Sequence, residues 1–148
     1  MPAVLTRQPD IRYIAQIGFA SDLDPGAFKR APLHLVAVVD RSDAMSGGPL
    51  ELVKAGLLTA VSQMNPDDEL SVVLYGDRSQ VYMNPTPVRD RAAIEAEIHN
   101  IESAGASDIE AGLAVGFELA RTHEFAGTAR VMLFTSMQPD PDGTVARS

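Results

Sequence analysis

The sequence predicts an α/β fold built on a doubly wound, mostly parallel sheet. Three observations carry this. Residues 35 to 39, Leu-Val-Ala-Val-Val, form an apolar run too continuous for a strand with one wet face, as the central strands of parallel sheets are. The run ends in Asp40, and a turn rich in Ser and Gly then opens a helix at Pro49. Strand-like and helix-like patterns alternate after that, which is the order of a parallel sheet with helices on its faces.

Each element has its own signal. Ile11, Tyr13, Ala15, Ile17 and Phe19 alternate, so residues 11–19 read as a strand added ahead of the main domain. Asp24-Pro25-Gly26, within residues 21–32, marks a turn or linker. Leu50, Val53, Leu57, Val61 and Met64 recur at spacings of three and four, one face of an amphipathic helix that Asn65-Pro66-Asp67-Asp68 stops. Residues 70–75 form a second strand, and Gly76-Asp77 turns it into a third near 80–83, so the two pair as an antiparallel hairpin. Ile94, Ile98 and Ile101 mark a helix from about 88 to 101; Ile109, Leu113, Phe117 and Ala120 mark another from Asp108 to about Thr122. Arg130 to Thr135 is the fourth core strand. The expected organisation is an extension over 1–32, a domain over 33–140 and a flexible tail over 141–148.

Composition narrows the function. A chain of 148 residues with 45% apolar residues buries the core of one domain. Twenty acidic against 12 basic residues, a net charge of −8, leave no basic stripe for phosphates and would repel an anionic membrane, so neither nucleic acid nor membrane is an expected partner. The absence of cysteine rules out disulfides and thiolate metal sites and suits a reducing compartment. The N-terminus has no apolar core behind a basic start, and no stretch approaches the roughly 18 apolar residues of a spanning helix, so the expected location is the cytoplasm.

Asp40 and Ser42 stand two residues apart on a turn at the carboxyl edge of the sheet, where ligand sites form and where hard cations such as Mg²⁺ find oxygen donors. With its turn reading Asp40-Arg41-Ser42-Asp43-Ala44, this stretch resembles the von Willebrand factor type A domain, whose metal-ion-dependent adhesion site opens with Asp-x-Ser-x-Ser. The resemblance runs from about residue 33 to 140. It implies a further hydroxyl, which Ser107 supplies in Gly105-Ala106-Ser107-Asp108 where the family has threonine. It also implies an aspartate after the fourth strand, where this chain has Thr135-Ser136-Met137. Asp40, Ser42 and Ser107 are therefore the expected metal ligands. Ala44 offers no oxygen and Ser136 offers a neutral hydroxyl in place of a charge. A lost hydroxyl can be replaced by water, whereas a lost carboxylate removes a charge that at about 4 Å is worth several kcal/mol in a partly buried site. The resemblance thus implies a degenerate site with weak Mg²⁺ binding and no other cofactor.

Family domains also continue with further helices and two more strands, so the chain reads as the first part of the fold, with residues 130–135 left as a sheet edge open to self-association. Within the family, LHLVAVVD and the preceding DLDPGAFKRAP look most similar to bacterial intracellular or envelope members. The implied function is a non-enzymatic protein-interaction module that binds through the loops at 40–48, 105–108 and 135–140, with Asp43, Asp108, Ser136 and Gln138 as partner-binding residues. Two alternatives stand beside it. One is a small Mg²⁺-dependent phosphoester hydrolase using Asp40, although its second acid, two residues on, would have to be Ser42. The other is a structural remnant completed by another chain. Local readings compete as well: Ser107-x-x-Glu110 has the form of a capping box, and Ser42, Asp43 and Ser46 suit a turn that bonds its own backbone. His34, His99 and His123 have no spacing that suggests a shared site, and His99 and His123 read as exposed helix surface.

Overall fold

Strand β1 (Leu33–Asp40) is buried along almost its whole length, as its unbroken apolar run requires. It lies inside the sheet of a computed structural model that describes residues 29–135, with a strand on either side of it. The strand expected over 11–19, the tail, Ser136 and Gln138 lie outside the described residues. The chain divides into two units, Met1–Arg30 and Ala31–Ser148, and every element below belongs to the second.

β1 pairs in parallel with β2 (Glu69–Tyr75) on one side and β4 (Thr128–Phe134) on the other. β2 pairs antiparallel with β3 (Gln80–Pro87), the expected hairpin. β3 runs past the short strand expected near 80–83, and its register shifts opposite Val72. Pro85 and Pro87 give the reason: neither can donate to a ladder, so such a strand fits only an edge.

The period of two along β1 sorts the core into two layers. Leu35, Ala37 and Val39 face the helices α1 (Gly48–Gln63) and α2 (Arg91–His99), packing with Leu50, Leu57, Val61, Ile94 and Ile98. Val36 and Val38 face the other way with Val73 and Tyr75, against Val115, Leu119 and Ala120 of α3 (Ile109–Thr122). Helices on both faces of a mostly parallel sheet make the molecule a doubly wound α/β domain.

Three local expectations are corrected. The helix expected over 88–101 is a 3-10 turn at Val88–Asp90 followed by α2, which ends at His99. α3 buries Gly112 and Gly116, while Ile109 and Phe117, expected on its apolar face, are 43% and 60% exposed. The helix lies so close to the sheet that a Cβ at Gly116 would sit 2.4 Å from a Val38 methyl, and one at Gly112 would sit 2.7 Å from the Tyr75 ring. Close approach selects the face that carries glycine; of the residues expected to face the sheet, Ala120 packs there while Ile109 and Phe117 do not. Finally, the cap of α3 is Asp108, whose carboxylate accepts from the Ala111 amide at 3.0 Å, so the Ser107 hydroxyl is free of that task.

Candidate functional site

Asp40 ends β1 with its side chain on the α3 layer, and it is 2% exposed. A buried carboxylate must be met by donors. Oδ1 accepts from the Ser42 amide at 2.8 Å, and Oδ2 accepts from the Ser107 hydroxyl at 3.2 Å and the Thr135 hydroxyl at 3.4 Å. Asp40, Ser42 and Ser107 are thus brought together. Thr135 joins them from the end of β4; the turn Thr135-Ser136-Met137 drew notice only for its missing carboxylate, not for this hydroxyl.

The Ser42 hydroxyl is buried and has no hydrogen-bond partner. Tyr75, opposite Asp40 in the β1–β2 register, is fully buried and its hydroxyl is likewise unpartnered. Burial pushes the Tyr75 phenol above its ordinary range, with the Asp40 carboxylate adding to the effect, so it is a neutral hydroxyl near physiological pH. Sequence reasoning passed Tyr75 over because it looks like an ordinary core aromatic.

Backbone bonds tie the turn after β1 to the end of β2 and to residues 104–105. The Arg41 amide donates to the Tyr75 carbonyl at 2.9 Å, the Ala104 amide to the Arg41 carbonyl at 2.6 Å, and the Asp43 amide to the Gly105 carbonyl at 2.8 Å. The Asp43 carboxylate accepts from the Gly105 amide at 3.1 Å, and Asp77 accepts from the Ala106 amide at 2.7 Å. Gly105 has φ +82°, and a Cβ there would meet the Asp77 carboxyl group at 2.3 Å, so both conformation and space demand glycine. Asp43 and Asp108, expected to meet a partner, are exposed at this edge while each also braces the loop or helix it belongs to.

This donor set suits a hard divalent cation: one carboxylate, several hydroxyls, and a buried hydroxyl left without a partner. Among the described residues no three His, Asp or Glu side chains form a metal-holding group, so a cation here would depend on hydroxyls and water for the rest of its shell.

The opposite end of the sheet holds a second polar cluster. His34 is fully buried and its Nε2 lies 2.7 Å from the Ser71 hydroxyl, while its ring meets His123 edge-on at 4.8 Å. His123 Nε2 lies 2.7 Å from the Glu69 carboxylate, and Phe125 lies against both rings. Two expectations are corrected for this pair: the fold brings His34 and His123 together, and His123 is a partly buried cap residue of α3 rather than exposed helix surface. His99 is exposed, as expected.

An α/β domain that presents an Asp-x-Ser turn at the carboxyl end of a central strand belongs to a defined class of ligand-binding folds. The chain belongs to the von Willebrand factor type A domain family, whose profile matches residues 35–138. It is 33% identical over 130 residues to the protein sll0103 of Synechocystis sp., covering 88% of this chain and 30% of that one. The chain therefore spans less than a third of that curated relative. Among solved structures it is similar to the vWF domain of the type V pili tip protein Mfa5 from Porphyromonas gingivalis, at TM-score 0.61 and 19% identity over 70% of this chain and 37% of that one. It is also similar to proximal thread matrix protein 1 of the mussel byssus, solved with a zinc-occupied MIDAS motif, at TM-score 0.56 and 20% identity over 70% and 28% of the two chains. Both structural likenesses support the fold. No helix among the described residues is long and apolar enough to cross a membrane.

Proposed function

We propose that this chain is a non-enzymatic protein-interaction module that engages its partner at the carboxyl edge of the sheet, through the loops at 40–48, 105–108 and 135–140. The observation that carries the reading is the convergence of Ser42, Ser107 and Thr135 on the buried Asp40. A buried carboxylate that accepts from the Ser42 amide and from the Ser107 and Thr135 hydroxyls, beside a turn tied by backbone bonds to residues 104–105, supports a preformed recognition site. Asp40, Ser42 and Ser107 hold a divalent cation such as Mg²⁺, weakly, because the carboxylate expected after the fourth strand is Ser136. The zinc-occupied motif of the byssus protein supports a cation at this position of the fold. Asp43, Asp108, Ser136 and Gln138 meet the partner through hydrogen bonds. A reducing compartment, the cytoplasm, suits a chain without cysteine.

Partner capture from the native cell, run with and without a chelator, tests this. Alanine substitutions at Asp43, Asp108 and Gln138 are expected to reduce capture, and chelation to weaken it only partly. Capture that survives all three and fails on substitution of exposed α1 residues such as Leu52 would place the interface elsewhere.

A further inference from the structure

We infer that Tyr75 is a positioning residue of the cation site, its phenolic oxygen accepting a hydrogen bond from a water bound to the cation held at Asp40. This rests on the reading of Asp40 as a cation site. Five buried side-chain polar atoms among the described residues have no hydrogen-bond partner, and three of them, Arg41 Nε, Ser42 Oγ and Tyr75 Oη, belong to residues beside Asp40 in the turn or in register with it. Unpaired buried polar atoms are rare in folded proteins, and several at one place point to an absent water or ion.

The fold sends the Tyr75 hydroxyl to this place. Tyr75 and Asp40 are register partners at the carboxyl ends of adjacent parallel strands, and both side chains lie on the α3 layer. Gly112 leaves room for the ring, since any side chain there would collide with it. The unpartnered phenolic oxygen keeps a lone pair for a water of the cation. Mg²⁺ keeps several waters, so neutral hydroxyls that hold those waters can partly stand in for the ligands absent at Ala44 and Ser136. Tyr75 is at a position that the Asp-x-Ser turn does not announce.

The test uses the full chain with Mg²⁺ alone, titrated by calorimetry and by the phenolic carbon signals of labelled tyrosine. The chain has three tyrosines, so Tyr13→Phe and Tyr82→Phe assign the Tyr75 signal and serve as controls. Mg²⁺ is expected to move the Tyr75 signal, and Tyr75→Phe to weaken binding about three- to tenfold, the worth of one hydrogen bond, while both controls bind as the natural chain does. A purely structural orphan hydroxyl predicts otherwise: Tyr75→Phe would bind Mg²⁺ unchanged and melt higher, because an unsatisfied buried group has been removed, and that outcome overturns the inference. Should Tyr75→Phe not fold, an unmoved Tyr75 signal during saturable binding to the natural chain overturns it equally. Absence of any saturable Mg²⁺ binding to the natural chain would instead overturn the cation site itself.

Discussion

Enclosure sets the proton affinity of His34. Burial lowers it below the ordinary histidine range, and the facing His123 lowers it further, against a smaller opposing pull from Glu69. A base whose folded pKa is depressed stabilises the fold fully above its unfolded value, near 6.5, and that contribution is lost as pH falls through the lower folded value. Urea midpoints are therefore expected to drop as pH is lowered below about 6.5, and His34→Gln, which keeps a partner for Ser71 but does not titrate, should flatten the drop. A profile identical in the two proteins would show that His34 does not control it. A second expectation concerns the cation: Ala44→Ser with Ser136→Asp should tighten Mg²⁺ binding by at least about tenfold, or 1.4 kcal/mol, measured by calorimetry. At this scale Asp40 and Ser42 were legible from the spacing of one turn, and Ser107 from the family resemblance. Thr135 and Tyr75 were not, because register alone brings them to Asp40, and register is a property of the folded sheet.

Helix α3 shows how an element can be located by its sequence and still be turned the wrong way. Its length and position follow from the periodic apolar residues, yet the face against the sheet is chosen by Gly112 and Gly116, whose missing side chains allow the close approach. Gly116→Ala should destabilise by about 1–3 kcal/mol through overpacking against Val38. The same change at Gly56 of α1, where a Cβ meets nothing within 4 Å, should stabilise by about 0.5–1 kcal/mol. Denaturant unfolding of the two variants checks both signs. β4 makes a different prediction. It ends the described sheet, with Met132 and Leu133 on opposite faces and 47% and 36% exposed. Self-association along this strand is expected, and light scattering with hydrogen exchange at Val131 to Phe134 measures it. A monomer at high concentration whose β4 amides exchange freely would contradict it. The strand was legible to within two residues, and the family resemblance implied its place at an edge of the sheet.

For the molecule as a whole, the order of strands and helices, the hairpin and the two-sided covering of the sheet could all be read from where apolar runs and turn residues fall. Such features depend on neighbours in sequence. The union of His34 with His123 depends on neighbours in space and left no trace in spacing. The two borders of the sheet also differ in a way that bears on assembly. One border is β3, where Pro85 and Pro87 remove two donors from the ladder; the other is β4, which carries no proline, so its outward-facing amides can donate. Two copies joined back to back through β4 about a twofold axis would use up the receptive borders that the described residues present and leave proline-bearing strands at both ends. Growth then has no next step, so this geometry favours a closed pair over a fibre.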